Sequence, residues 1–209
     1  MKLPQKPDYL PIEFYERDTA TVARDLIGKI LLRRIGGQQI GGIIVETEAY
    51  LADQDQASHS YRGLTAGNSA MFESGGTLYV YPIHTHCCFN VVTEKQGRGC
   101  AVLIRAIEPI WGIDQMINHR KPVKMRQLAR GPGCLCRALA INRSLNGNHL
   151  GSCDTIKIAS SCNQSPPVTE SKRIGITRDV DLPLRFFWDG NWFVSGKSCD
   201  HLQKPRLTT

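Results

Sequence analysis

The stretch that decides the fold is KILLRRIGGQQIGGIIVETEAY, residues 29–50. Branched aliphatic residues dominate both of its ends, and glycine pairs separate them, a composition typical of two strands joined by a turn. We therefore predict a β-hairpin over residues 29–50, in which KILLRRI and IIVETEAY are the strands and GGQQIGG is the turn. Because a hairpin places its strands antiparallel, we expect the sheet to grow by antiparallel neighbours.

The rest of the chain supplies further short apolar runs between turn residues. Most connections are too short for a parallel crossover, which favours antiparallel pairing throughout. Residues 51–76 have no clean period and are predicted to form a long loop, and loops of this length are usually functional or disordered. The further predicted strands are TLYVY, CFNVVT, CAVLIRAI, TIKIAS, RIGIT, LRFFW and WFVS.

Helices are few in this pattern. A short helix begins near Asp18 or Thr19, either of which can cap it. Glu108-Pro109 is predicted to start a second helix, and Pro132 a third, because proline is favoured in the first turn. The fold class that follows is α+β, in one domain dominated by antiparallel strand pairs.

Composition and charge narrow the class of protein. The chain has 209 residues and a formal net charge of +7, which favours a polyanionic partner such as nucleic acid or else describes a merely basic protein. No apolar segment typical of a secretory signal opens the chain, and no run is long enough to span a membrane. We therefore expect a cytoplasmic protein, associated with the nucleoid if bacterial, that is not secreted and has no membrane partner. Its eight cysteines are expected to be reduced, and the absence of C-x-x-C disfavours a zinc ribbon.

Two carboxylates stand out in the strand VETEAY. A period of two puts Glu46, Glu48 and Tyr50 on one face of the strand. Carboxylates are depleted in strands, so a pair beside an aromatic ring is a candidate general base next to a stacking surface. The alternative is an edge strand with two solvated glutamates.

Other candidates have equally ordinary alternatives. His59 lies in the long loop, where a histidine is more often structural or solvated than catalytic. Tyr79 and Tyr81 share one strand face and belong either to the core or to a pocket. Arg105 lies in an apolar strand and needs a carboxylate or a phosphate as its partner.

The segment YVYPIHTHCCFN, residues 79–90, combines histidines with cysteines. His84, His86 and Cys88 alternate onto one strand face, a spacing that can hold zinc if other ligands come from elsewhere. Pro82 can instead mark a bend that puts His84 and Thr85 at the tip of a hairpin.

Several motifs in order resemble one enzyme family. They are VETEAYLADQDQASHSYRG, GTLYVY, CFNVV, LIRAIEP, GPGCLCRALAIN and RIGIT…DLPLRFF. Over roughly residues 15–195 the chain resembles the alkyladenine (3-methyladenine) DNA glycosylases. The resemblance implies a single domain over 1–209, with a core over about 15–197 and short flexible termini. It implies a curved, open-barrel-like antiparallel sheet with surrounding helices and a protruding hairpin that enters the DNA minor groove.

The resemblance also implies an activity and a set of roles. The enzyme would be a monomer without metal or cofactor that flips alkylated or deaminated purines out of double-stranded DNA. It would hydrolyse the N-glycosidic bond with an activated water. Glu48 would be the base and Glu46 a supporting residue. The implied substrate-binding residues are Tyr50, His59 and Tyr81 around the flipped base, Asn90 against guanine, Leu103 as a wall, and Arg105 on the nucleotide and water.

The hairpin and two charged positions differ from the family pattern. The family inserts a tyrosine wedge, and in this chain His84, or else Ile83, would take its place. Asn68 ends a Thr65-Ala66-Gly67-Asn68 run that lacks the family's arginine, and Cys134 replaces a lysine. The basic residues Arg120, Lys121, Lys124, Arg126 and Arg130 either compensate or form a solvated loop.

Two rival classes of protein remain at this level. A module that binds distorted DNA without cutting it is compatible with the altered hairpin. A zinc hydrolase would use His84, His86 and a cysteine.

Overall fold

A computed structural model describes residues 7–161 and 166–196. The strands are β1 Ile30–Ile35, β2 Gln38–Tyr50, β3 Leu78–Ile83, β4 His86–Thr93, β5 Cys100–Trp111, β6 Ile156–Ala159, β7 Val168–Ser171 and β8 Arg185–Trp188. The helices are α1 Ile12–Tyr15, α2 Thr19–Asp25, α3 Ile113–Arg120 and α4 Pro132–Ala138. In these ranges all strands belong to one antiparallel sheet ordered β3-β4-β5-β2-β1-β6, with β8 paired to β2 and β7 to β8. The predicted α+β class is confirmed.

The hairpin of residues 29–50 is confirmed, but its turn is shorter than predicted. Only Gly36 and Gly37, at φ 54° and 79°, make the turn between β1 and β2. Gly41 and Gly42 lie inside β2, where a Cβ atom would sit 2.1 Å and 2.0 Å from carbonyl oxygens of the neighbouring strands. The second glycine pair therefore allows three strands to approach closely. In the sequence alone, a glycine pair of this kind cannot be told from a turn.

Strand β2 exchanges neighbours along its length, and this curves the sheet. Its first half pairs with β1, while Glu46, Thr47 and Glu48 pair with β8, and β5 runs along the other side. The register to β5 shifts near Gly42 and again around Glu46. Because bulges bend and twist a strand, β2 turns the sheet into an open half-barrel at the position of the two glutamates.

Three predicted element assignments are wrong. Glu108 and Pro109 continue β5, since the proline lies at the register shift opposite Gly42 and needs no ladder bond there. The helix starts instead at Ile113, after Gly112 at φ 66°. RIGIT and WFVS are loops, and β7 is a strand that the pattern did not indicate.

The other helix predictions are confirmed. Asp18 caps α2 by accepting a hydrogen bond from the Thr21 amide at 2.8 Å, and Pro132 occupies the first turn of α4. Both helices pack on the sheet. The core between them and the sheet includes the fully buried side chains Val22, Leu26, Ile44, Phe89, Ile104, Ile107, Met116 and Leu135.

The β3–β4 hairpin projects from the sheet, as expected. Its last pair is Ile83 with His86, and His84 and Thr85 form the exposed tip. His84 has φ 50°. The predicted domain bounds of about 15–197 stay a prediction, and the predicted flexible termini fall largely outside the described residues. No described helix has both the length and the apolarity needed to cross a bilayer.

Candidate active site

Glu46 and Glu48 lie at the centre of the sheet. Both side chains are fully buried, between β5 on one side and β8 on the other. The alternative of a solvated edge strand is therefore wrong. Buried carboxylates require charged or hydrogen-bonding partners, and each of these two has several.

Glu48 accepts three hydrogen bonds. Its Oε2 accepts from the Tyr50 hydroxyl at 2.9 Å and from Arg105 Nη1 at 3.0 Å. Its Oε1 accepts from the backbone N–H of Ile174 at 2.7 Å. A carboxylate offers about four lone-pair sites, so Oε1 retains one for a further donor such as water.

Glu46 is bound more completely. Its Oε1 accepts from Arg105 Nε at 3.0 Å, from Arg185 Nε at 2.7 Å and from the Ser195 hydroxyl at 2.9 Å. Its Oε2 accepts from the Ser195 amide at 2.7 Å. The sequence left open whether Arg105 pairs with a carboxylate or a phosphate. In the structure it pairs with two carboxylates, those of Glu46 and Glu48.

These surroundings shift the pKa values of the two carboxyl groups in opposite directions. Burial raises the pKa of Glu48 above its ordinary value, with help from the charge of Glu46 and against Arg105 and the other donors. Burial would also raise the pKa of Glu46, but Arg105 and Arg185 together bring it below its ordinary value. Opposite shifts in adjacent carboxyls are typical of sites where one group handles protons and the other carries fixed charge.

A cavity of about 560 Å³ opens beside this pair. Tyr50 and Arg105, which both donate to Glu48, line it. Its volume falls within the roughly 300–1,000 Å³ of small-molecule sites. Of the residues predicted for the pocket and the hairpin, Tyr50, His59, Tyr81, Ile83, Asn90, Leu103 and Arg105 line the cavity.

Aromatic side chains make one wall of the cavity. The centroid of the His59 ring lies 4.5 Å from that of Tyr81, and Tyr79 lies 5.2 Å from Tyr81. The Tyr79 hydroxyl is 2.8 Å from His59 Nδ1. Burial lowers the pKa of His59 and, with a smaller effect of Cys88, raises that of Tyr79 to about 12, so both rings are uncharged at neutral pH. Tyr79, which the sequence left between core and pocket, is both buried and part of the wall.

The floor of the cavity comes from β4 and β5. Asn90 donates through Nδ2 to the Tyr79 carbonyl at 2.9 Å, which holds the amide in place. Leu103 lies opposite Asn90 in the strand register. Cys88 also lines the cavity, and burial raises the pKa of its thiol.

Two walls depend on a buried ion pair that sequence analysis missed. Arg173 pairs with Asp55 through two hydrogen bonds of 2.6 Å and 2.7 Å, and both side chains are fully buried. Arg173 also lies 4.7 Å from the centroid of the Tyr50 ring. The amide of the next residue, Ile174, is the one that binds Glu48. The arginine that opens RIGIT gave no signal of burial, because its partner Asp55 is distant in sequence.

A second missed residue shapes the loop that carries His59. The side chain of Asn68 accepts from the Thr65 amide at 2.6 Å and donates to the carbonyls of His59 and Gly63 at 2.9 Å and 3.0 Å. In the family pattern an arginine precedes this asparagine. In this chain the asparagine side chain is buried and orders the loop.

The zinc alternative finds no support in the geometry. Cys88 turns into the cavity, His86 packs on Gly133 at the start of α4, and His84 stands at the exposed tip. Among the described residues, no group of three or more histidine, cysteine or acidic side chains is placed to hold a metal ion.

The three arginines of the basic run 120–130 serve the fold. Arg120 donates to the carbonyls of Gln127 and Leu128. Arg126 donates to the Trp192 carbonyl, and Arg130 donates to those of Val194 and Gly196. Arg126 and Arg130 therefore tie down the segment that carries Ser195, a role that neither reading of the sequence included, while Lys121 and Lys124 are exposed as in a solvated loop.

Comparisons with known proteins match one family over most of the chain. A family model described as Methylpurine-DNA glycosylase (MPG) matches residues 13–192. A relative from Rhodopirellula baltica, named "Putative 3-methyladenine DNA glycosylase", is 49% identical over 94% of this chain and 87% of its own. Relatives of the same name from Methanoculleus marisnigri and Koribacter versatilis are 46% and 44% identical, over 89% and 90% of this chain and 98% and 93% of theirs.

The fold, the buried carboxylates beside an aromatic cavity and these matches define a DNA glycosylase, a hydrolase acting on N-glycosyl bonds. More narrowly, the chain belongs to the methylpurine-DNA glycosylase (MPG) family. Its substrate is therefore DNA, and its place is in base excision repair. The family resemblance of the motifs is confirmed.

Proposed function

We propose that the protein excises alkylated or deaminated purines from double-stranded DNA, using a water molecule activated by Glu48. The observation that carries this proposal is the environment of Glu48. Its carboxylate accepts hydrogen bonds from three residues that all line the cavity, and Oε1 keeps one lone-pair site for a further donor. A general base needs that combination of fixed geometry and a pKa raised toward the working pH.

The proposed reaction is a hydrolysis at C1′ of the deoxyribose. Glu48 takes a proton from water, the water oxygen forms a bond to C1′, and the bond from C1′ to the purine nitrogen breaks. In 3-methyladenine and 7-methylguanine nucleotides the purine carries a positive charge and leaves as a neutral base, which makes this step easier. Hypoxanthine and ethenoadenine complete the proposed substrate class; they are neutral in DNA, leave as anions and take up a proton from solvent.

The cavity would receive the purine after it leaves the helix. Extruding a base costs a few kcal/mol, least for damaged or mispaired bases. Stacking on aromatic side chains returns about 1–3 kcal/mol per base. In this proposal Tyr50, His59 and Tyr81 stack on the base, Asn90 crowds the 2-amino group of guanine, and Leu103 is a wall.

Arg105 has a narrower proposed role than the resemblance implies. Each of its three nitrogens already has a protein partner: Glu46, Glu48 and, at 3.4 Å, the Ser195 hydroxyl. We assign it to orienting Glu48 and to favouring the charged carboxylate, and contact with the nucleotide would use its cavity-facing edge.

The hairpin tip is the proposed DNA wedge. His84 is the outermost residue of the β3–β4 turn, and Ile83, 44% exposed, stands next to it at the mouth of the cavity. Apolar and flat side chains at such a tip can fill the gap that a flipped base leaves. His84 is the leading candidate and Ile83 the second. The enzyme is proposed to act as a cytoplasmic monomer.

The test is single-turnover release of hypoxanthine, ethenoadenine and 3-methyladenine from duplex DNA in the presence of EDTA. Wild type would be compared with Glu48→Gln and with Glu73→Gln, an exposed glutamate in the loop between β2 and β3. We expect Glu48→Gln to bind lesion DNA while losing about 10²–10⁴-fold in rate, and Glu73→Gln to match wild type. Tight lesion binding by wild type without release would instead indicate a lesion-binding module, and release that required metal would refute the mechanism.

A further inference from the structure

The segment around Ser195 reaches the active site from the end of the described chain. Ser195 lies beyond residue 192, where the family match ends. It is nevertheless buried, and both its amide and its hydroxyl bind Glu46, at 2.7 Å and 2.9 Å. Arg130 holds its two neighbours by donating to the carbonyls of Val194 at 2.8 Å and Gly196 at 2.7 Å. The segment is therefore fixed on both sides of the serine.

The position of Glu46 determines how the N–H donors of Arg105 are distributed between the two glutamates. The Nε of Arg105 goes to Glu46 and only Nη1 goes to Glu48, each at 3.0 Å. The third nitrogen, Nη2, faces the Ser195 hydroxyl at 3.4 Å. A guanidinium that lacked the first and third partners could turn both Nη atoms toward Glu48 and form the two-bond pair that arginine and carboxylate prefer.

Such a two-bond pair would work against a general base. It would occupy the open position on Glu48 and would stabilise the charged carboxylate, which weakens its tendency to take a proton. We propose that Glu46 and Ser195 are positioning residues that limit Arg105 to a single hydrogen bond with Glu48 and so keep that carboxylate able to accept a proton from water. This inference rests on the proposed role of Glu48 as the base.

The other groups that face Glu48 do not supply this control. Tyr50 on the same strand and Cys88 on β4 are uncharged, because burial raises the pKa of each. Arg173 forms its salt bridge with Asp55. Arg185, on β8, donates through Nε to Glu46 and through Nη2 to the Ser195 carbonyl. Among these described groups, Arg105 alone is hydrogen-bonded to both Glu46 and Glu48.

The first test is Glu46→Gln. Removing the charge of Glu46 frees Arg105 to pair fully with Glu48 and removes a like charge, and both changes act in the same direction. We expect the pH at which the excision rate falls on the acid side to move down by about one pH unit, and the plateau rate to fall. A merely structural role would lower the plateau without moving the acid limb.

A readout that needs no activity separates this inference from the proposed function. The Glu48 carboxyl would be titrated by ¹³C NMR in protein labelled at glutamate carboxyls, with Glu48→Gln used to assign the signal. We expect its midpoint to fall in Glu46→Gln. If wild type released no base yet the midpoint still moved, the proposed function would fail while the coupling of Glu46 to Glu48 stood.

Ser195→Ala covers the case in which Glu46→Gln does not fold. It removes one donor to Glu46 and the partner of Arg105 Nη2, and leaves every charge in place. We expect a loss of about threefold to tenfold in single-turnover rate, the size of one hydrogen bond, with unchanged lesion affinity. Ser171→Ala is the matched control, because the Ser171 hydroxyl accepts from Arg185 Nη1 at 2.9 Å and is not a partner of Glu46 or Arg105 among the described contacts.

Three results would overturn the inference. They are an unshifted Glu48 midpoint in folded Glu46→Gln, equal rates for Ser195→Ala and Ser171→Ala, and a Ser195→Ala variant that loses affinity in place of rate.

Discussion

Replacing Asp55 by asparagine tests the buried ion pair that holds two walls of the cavity together. The exchange keeps the shape of the side chain and removes the charge that faces Arg173. Both side chains are fully buried, and two hydrogen bonds of 2.6 Å and 2.7 Å join them. Removing one partner of a buried pair leaves an uncompensated charge, which costs about 3–5 kcal/mol. For a domain of this size each kcal/mol lowers Tm by roughly 2–4 °C, so the expected loss is about 6–20 °C.

The chain offers a close control for this change. Asp181 pairs with Lys172, the residue before Arg173, but these two side chains are 82% and 68% exposed. An exposed pair contributes about 0–1 kcal/mol, so Asp181→Asn is expected to leave Tm within a few degrees of wild type. Thermal and urea unfolding of the two variants and of wild type measure the difference. Equal Tm values for Asp55→Asn and Asp181→Asn would refute the reasoning that burial makes this pair structural.

Three further outcomes are expected. Because burial raises the pKa of Glu48, the single-turnover rate should fall with decreasing pH through a midpoint above the ordinary 4.5, and a midpoint at or below that value would contradict the raised pKa. His84→Ala should slow excision from duplex DNA far more than from single strands, where no stack needs filling; equal slowing on both, with Ile83→Ala duplex-specific, would move the wedge to Ile83. Tyr79→Phe removes the hydroxyl 2.8 Å from His59 and should lower the excision rate about twofold to tenfold, while an unchanged rate would show that packing alone holds His59.

The elements that local pattern predicted are those whose causes are local. Asp18 caps α2 and Pro132 opens α4, since capping and proline geometry act within one turn. The hairpin over 29–50 followed from strand composition. The assignments that failed depended on neighbours distant in sequence: Gly41 and Gly42 resemble a turn until β5 and β1 close on them, and Pro109 resembles a helix start until it pairs opposite Gly42.

The candidate site divides in the same way. The motifs alone predicted Glu48, Tyr50, His59, Tyr81 and other pocket residues as members of the site, because their spacing and order follow the family pattern. What each group can do chemically was decided by the tertiary structure. Two identical carboxylates two residues apart acquire opposite pKa shifts because Arg185 and Ser195, well over a hundred residues later, surround only the first of them. The sequence determines which residues can carry a charge. Burial and the number of hydrogen-bond donors around each charge arise only when distant strands meet, and those two quantities determine which carboxylate can take a proton.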